Sequence, residues 1–169
     1  MHTPYRPFRL NVGFIVHEEV GYNREFPFAF DEILLEDVTL RAFEGQAVIG
    51  RTPQGLIVQA HFEAVTVLEC VRCLASFDYR LRLDMAEMYA FNKKSVSESG
   101  LLLPEDAHID LQPLIREYAL LALPISPICK PDCKGLCPLC GEDLNQNDCG
   151  HQPVTRESPF SALKDLLGE

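Results

Sequence analysis

The chain has 169 residues, 25 of them acidic against 15 basic, giving a formal charge of −10, and it contains seven cysteines and no tryptophan. That length suits one domain, or one domain with a small appendage, and is enough to bury a core. The acidity argues against a protein that spreads a basic surface over nucleic acid. No stretch reaches the roughly 20 apolar residues of a membrane helix. No basic and then apolar leader opens the sequence, so a cytoplasmic location with no membrane partner is expected. An odd number of cysteines in such a chain points to metal or redox chemistry rather than a disulfide framework.

Residues 1 to about 92 read as β structure. Phe8, Leu10, Val12, Phe14 and Val16 alternate with Arg9, Asn11 and Gly13, which predicts a half-buried strand. Phe26, Phe28 and Phe30 repeat the pattern around Pro27, which places that segment at an edge. Val38, Leu40 and Ala42 open another strand that runs on through Ala47 to Arg51 and into the turn Thr52-Pro53-Gln54-Gly55. The clearest strand follows, with Leu56, Val58, Ala60, Phe62 and Ala64 on one face and Gln59, His61 and Glu63 on the other. A second long strand sets Tyr79, Leu81, Leu83 and Met85 against Arg80, Arg82 and Asp84.

Lys93 to Gly100 is a polar loop. A helix over 110–123 is predicted next, with Asp110 as N-cap, Pro113 in its first turn and an apolar face of Leu111, Leu114, Ile115, Tyr118 and Ala122; Pro124 ends it. From Ser126 to Gln152 the composition turns to Cys, Pro, Gly, Asp and Asn, too poor in large apolar residues to hold a shape by burial. Phe160, Leu163, Leu166 and Leu167 mark a short terminal helix. The expected fold is therefore α+β: mainly antiparallel sheet or a partly closed barrel with one central helix over 1–125, then a zinc-binding segment and a terminal helix, 126–169, packed on the same domain.

The cysteines carry the chemistry. They fall as Cys70-Val-Arg-Cys73, Cys129-Lys-Pro-Asp-Cys133 and Cys137-Pro-Leu-Cys140, with Cys149 two residues before His151. Short spacing lets one turn present two thiolates to a single ion, and two pairs complete a tetrahedron. In Cys137-Pro138-Leu139-Cys140-Gly141, Pro bends the turn and Gly permits a positive φ that aims backbone N–H groups at sulfur. Seven cysteines and His151 make eight ligands, enough for two four-coordinate zinc sites. One partition joins Cys70, Cys73, Cys129 and Cys133, and separately Cys137, Cys140, Cys149 and His151. The rival is local, with Cys129, Cys133, Cys137 and Cys140 in one site. Either way the sites are saturated by protein ligands, hence structural, and no catalytic residues or small-molecule substrate are expected. Cys70 and Cys73 also fit two plainer readings, buried thiols or a redox pair, although the βαβ setting of a thioredoxin-like motif is absent. His2, His17, His61 and His108 and the carboxylates Glu18, Glu19, Glu36 and Asp37 read as ordinary surface or core residues.

At Cys70-Val-Arg-Cys73-Leu74, at Leu121-Ala-Leu-Pro124, and along Cys133-Lys-Gly-Leu-Cys137-Pro-Leu-Cys140-Gly-Glu-Asp-Leu-Asn145, the sequence resembles the YceD family, the large ribosomal RNA subunit accumulation proteins of bacteria and plastids. Ser158 to Leu163 is similar to that family's closing segment. The likeness runs in order through most of the chain and is weak over the first 55 residues. His151 stands where many relatives carry a cysteine. The resemblance implies a non-enzymatic role in accumulation or processing of large-subunit (23S) ribosomal RNA, with that RNA, its precursor or a basic ribosomal protein as partner. For a direct RNA contact the candidates are Arg72, Arg80, Arg82, Lys93 and Lys94, which with Asp78, Asp84 and Glu87 make residues 70–94 locally basic. The same residues equally suit a solvated sheet face with cross-strand ion pairs, in which case the chain is a zinc-stabilised adaptor for a basic protein.

Overall fold

In the computed structural model, residues 6–97 and 99–151 are described. The chain enters through β1 (Arg9–Asn11) and a single helical turn, α1 (Gly13–Val16). The long strand expected through Val16 is therefore cut short. Asn11 turns the chain by accepting the Gly13 N–H on Oδ1 at 3.0 Å, and Val12 and Ile15 are buried together at helical spacing while Phe14 stays 45% exposed. Alternation and helical spacing share enough positions here that the pattern alone fits both.

Four long strands then form one antiparallel sheet in sequence order: β2 (Asn23–Leu35), β3 (Val38–Arg51), β4 (Gly55–Glu69) and β5 (Ser76–Ala90). The sheet is open, so the barrel alternative does not hold among the described residues; β2 and β5 are its edges. Pro27 lies on edge strand β2, where a missing N–H costs no ladder bond. Along β4 the residues Leu56, Val58, Ala60, Phe62 and Ala64 are buried, as are Leu81, Leu83 and Met85 on β5. In β3 the alternation slips. A bulge lies between Arg41 and Glu44, Ala42 has φ 47° and is exposed, and burial resumes at Phe43. Gly45, at φ 148°, lets β3 pass β4 closely: a Cβ there would sit 2.1 Å from the His61 carbonyl oxygen.

Lys93–Ser95 make one 3₁₀ turn, and β6 (His108–Asp110) pairs antiparallel with β1 before α2 (Gln112–Ala122). The N-cap position falls to Leu111 rather than Asp110, and Asp110, one residue earlier, turns the chain into the helix by accepting the Gln112 N–H on Oδ1 at 3.0 Å. Leu114, Ile115 and Ala119 bury the inner stripe of α2, which meets β5, β2 and β3. Arg116 on its outer side binds both Asp37 carboxylate oxygens, at 2.7 and 2.9 Å. That contact holds the Asp37 carboxyl below the usual range. The core is aromatic: Phe43 lies tilted against Phe62 at 4.8 Å and meets Phe8 edge-on at 5.6 Å. No helix of the described residues is long and apolar enough to cross a membrane. The terminal helix expected near Ser158 lies outside the described residues.

The described residues fall into two compact units, 6–68 with 76–127, and 69–75 with 128–151. The sheet, both helices and the aromatic core belong to the first. Truncating Phe43 to Ala should cost the first unit about 3–5 kcal/mol in urea denaturation, whereas Leu34→Ala, at a 68% exposed position, should stay within about 0.5 kcal/mol.

Candidate metal centres

The second unit has an unusual interior. Its buried side chains among the described residues are Cys70, Cys73, Cys133 and Cys137, and no aliphatic or aromatic side chain joins them. All seven cysteines are free thiols, so sulfur chemistry other than disulfide bonding holds this core.

Two chain turns present the sulfurs in the same way. In Cys70–Leu74 the Leu74 N–H reaches the Cys70 carbonyl at 2.9 Å, and in Cys137–Gly141 the Gly141 N–H reaches the Cys137 carbonyl at 2.9 Å. Gly141 takes φ 76° and Leu74 takes φ 60°, so Leu stands where the turn favours glycine. In both turns the N–H groups of the third and fourth residues point at the first sulfur, those of Arg72 and Cys73 at Cys70 and those of Leu139 and Cys140 at Cys137. A segment carrying Cys133 closes on the first turn. Leu136 N–H bonds the Arg72 carbonyl at 3.0 Å, the Arg72 guanidinium bonds the Cys133 carbonyl at 3.0 Å, and Gly135 (φ 78°) packs so tightly that a Cβ would lie 3.0 Å from the Arg72 oxygen.

Two four-donor groups result: Cys70, Cys73, Cys129 and Cys133, and Cys137, Cys140, Cys149 and His151, the donors of each lying within 4.8 Å of one another. The grouping is the long-range partition rather than the local one. Cys70 Sγ lies 3.8 Å from Cys133 Sγ and Cys73 Sγ 3.7 Å from Cys129 Sγ. A tetrahedral ion with bonds of about 2.3 Å to sulfur separates neighbouring sulfurs by about 3.8 Å. A disulfide would need about 2.05 Å, and an iron–sulfur cluster spreads its cysteines over different iron atoms. The spacing therefore suits one mononuclear ion. In the second group Cys137 Sγ lies 3.9 Å from His151 Nδ1.

Electrostatics point the same way. Burial opposes charge on Cys70 most strongly, but the amide donors of Cys129, Cys73 and Arg72 outweigh it and bring its thiol down to about 6. Burial, and then the sulfurs of Cys133, Cys73 and Cys70, push Cys129 up to about 12. The N–H groups of Cys140 and Leu139 bring Cys137 down to about 6. The His151 N–H works to lower Cys149, but the Cys137 sulfur, burial and Cys140 outweigh it and raise that thiol. Each group thus pairs one thiol that ionises readily, Cys70 or Cys137, with one that resists ionising, Cys129 or Cys149, and a shared cation would remove that resistance. Both groups could hold a metal ion.

Asn145 contacts the first group, and the cysteine pattern leaves it unmarked. Its Nδ2 donates to Cys133 Sγ at 3.5 Å and to Asp143 Oδ1 at 2.7 Å, and its Oδ1 accepts the Lys134 N–H at 2.9 Å. It ties the 141–148 loop to a ligand of the first group. The signal in the sequence is the Asp-Leu-Asn run itself, in which Asp143 accepts from the Asn145 and Gln146 side chains.

The YceD family, described as large ribosomal RNA subunit accumulation protein YceD, matches residues 58–167. The chain belongs to this family. An uncharacterized protein of Mycobacterium tuberculosis is 32% identical over 146 residues, covering 83% of this chain and 66% of the relative. This YceD-family chain thus spans 66% of the length of its mycobacterial relatives. A chloroplastic large ribosomal RNA subunit accumulation protein YCED homolog of Arabidopsis thaliana is 41% identical over 63 residues, 37% of this chain and 20% of the relative. The Bacillus subtilis protein YlbN is 27% identical over 106 residues, 60% of each. No solved structure matches this member of the YceD family.

The candidate RNA residues are dispersed. Arg72 lies in the second unit with its guanidinium on a backbone carbonyl. Arg80 and Arg82 project from β5; Arg82 is 3.3 Å from Glu63, and Arg80 has no carboxylate within 4.0 Å among the described residues. His61, expected at the surface, pairs with Asp84 at 2.6 Å beside them, and Arg41 pairs with Asp78. Lys93 and Lys94 sit in the 3₁₀ turn past the far end of β5, roughly 33 Å of strand from Arg80.

Two outcomes are expected from this geometry. Asn145→Leu should weaken metal binding at the four-cysteine group by about 10–100-fold and shift the thiolate-to-metal charge-transfer band of the cobalt(II) form. Leu74→Gly should change the unfolding free energy by no more than about 1 kcal/mol, whereas Gly135→Ala, strained in φ and crowded by Arg72, should lose about 1–3 kcal/mol.

Proposed function

We propose that this YceD-family chain is a non-enzymatic, cytoplasmic factor that promotes accumulation of large-subunit ribosomal RNA, with its second unit held in shape by two structural zinc ions. The observation that carries the metal part is the pair of saturated four-donor groups at tetrahedral spacing. Tetrahedral all-thiolate and thiolate–imidazole sets favour zinc among the available divalent ions, and four protein ligands leave no open position for a reacting water. The ribosomal part is supported by family membership and by the name of the chloroplastic relative.

The route to the RNA has two forms. In one, the chain touches large-subunit RNA or its precursor, with Arg80 as the best placed guanidinium and Arg82, Arg72, Lys93 and Lys94 contributing separately. In the other it acts as an adaptor on a basic ribosomal protein. The cross-strand pairs Arg82–Glu63 and Arg41–Asp78, together with the −10 charge, favour the adaptor, because they neutralise much of the face that would meet phosphate.

Elemental analysis of the freshly purified full chain is expected to find about two zinc ions per molecule; none would remove the structural-zinc reading. Depleting the protein in its host should leave large-subunit RNA precursors unprocessed and reduce large subunits, and an unchanged subunit profile would refute the ribosomal role. A salt-dependent shift of large-subunit RNA that Arg80→Glu with Arg82→Glu abolishes would decide for direct contact over the adaptor.

A further inference from the structure

The two four-donor groups differ in what governs exchange of a bound ion. A closed tetrahedral site loses its metal to a chelator one ligand at a time, so the rate depends on whether a protein donor can swing into solvent. In the four-cysteine group Cys70, Cys73 and Cys133 are 0%, 8% and 4% exposed, and Cys129 is half-buried. Its donors are also locked from outside the coordination sphere. Cys70 N–H bonds the Ala75 carbonyl at 2.9 Å, Leu136 and Arg72 clamp the Cys133 segment, and Asn145 donates to the Cys133 sulfur.

The second group is open by comparison. Cys137 is its one buried ligand, while Cys140 and His151 are exposed. Cys149 and His151 follow a stretch without helix or strand that is held by the Asp143 and Asp148 side chains, and they flank Gly150 at φ 69°. Imidazole is a neutral donor, so this group also offers an ion one negative charge fewer.

We propose that the Cys137, Cys140, Cys149 and His151 group is an exchangeable zinc site and that the Cys70, Cys73, Cys129 and Cys133 group is a permanent one. The proposal rests on the reading that both groups hold zinc and adds an order of release. When zinc is scarce, the outer ion leaves first. The 148–151 end of the loop is then freed, while Asn145 and the clamp between Cys70–Cys73 and Cys133–Leu136 stay in place. Zinc supply thereby acts on one loop of the unit rather than on its fold.

The test uses the full chain with its zinc, mixed with excess EDTA and desalted at intervals for zinc analysis. One equivalent should be lost in a first phase while the second is retained. In Cys140→Ser a single retained equivalent should remain and the first phase should be absent. Loss of both equivalents in one phase, or a first phase that survives Cys140→Ser, overturns the order. The cobalt(II)-loaded wild-type chain gives the same answer without a variant, since four-thiolate and three-thiolate–imidazole ions have different d–d absorption. The three-thiolate envelope should bleach first under EDTA, and the reverse order overturns the proposal. A chain that binds neither zinc nor cobalt overturns the metal reading and the order together, whereas two ions leaving in step overturn the order alone.

Discussion

Mutual repulsion of converging thiolates is the constraint on which the second unit depends. Sulfurs 3.7–3.8 Å apart repel, once ionised, by about 4 kcal/mol per pair at an effective dielectric of about 20. Four such groups share one centre only if they stay protonated or surround a cation. The amide donors aimed at Cys70 and Cys137 already favour a charged sulfur in each group. The backbone thus suits a metal-bound form, in which a cation would supply the cohesion that apolar side chains supply in the first unit.

This division of labour explains the architecture. In the first unit Phe8, Phe28, Phe43 and Phe62 interlock over an antiparallel sheet, and burial of that area is the driving force. Among the described residues the second unit has no comparable apolar interior, and its candidate ligands Cys70 and Cys133 are 63 positions apart. Closing so long a loop has an entropic cost that grows only slowly with length. A strongly held ion therefore offsets it where a few weak contacts would not. The turn between β4 and β5 does half of that closure in advance, because the hairpin fixes where Cys70 and Cys73 emerge.

Legibility in the sequence follows the strength of the period. β4 and β5 alternate without interruption from Leu56 to Ala64 and from Tyr79 to Met85, and both the strands and their buried faces could be read directly. β3 could be read only in part, because the bulge after Arg41 exchanges the faces and sends Phe43 rather than Ala42 inward. The start of the chain misled for a different reason: Val12 and Ile15 share a helical face while Val12, Phe14 and Val16 alternate, and only the Asn11 side-chain turn decides between them. Three-residue strands such as β6 are set by a partner, Leu10 opposite Ile109, and leave no period to detect. Among the cysteines the pairs were plain, yet their grouping was not, since spacing says nothing about which turns meet. Leu74 illustrates the limit. A turn signature built on glycine rates this one poor, but the surrounding hydrogen bonds hold Leu74 at φ 60° in the same geometry that Gly141 adopts freely.

Charge narrows how such a chain can serve a polyanion. At −10 the long-range field repels RNA, and beyond a screening length of about 8 Å at physiological ionic strength that field is mostly lost. Any direct contact must then come from a local group of cations close to the phosphates. The sheet face has Arg80 in that position, but its neighbours Arg82, Arg41 and His61 each face a carboxylate. One guanidinium among neutralised pairs gives weak, salt-sensitive attraction. The same acidic surface would speed encounter with any basic protein, where every unpaired carboxylate adds to the attraction. On charge alone, contact through a basic protein that the RNA already binds suits such a chain better than direct contact with phosphate.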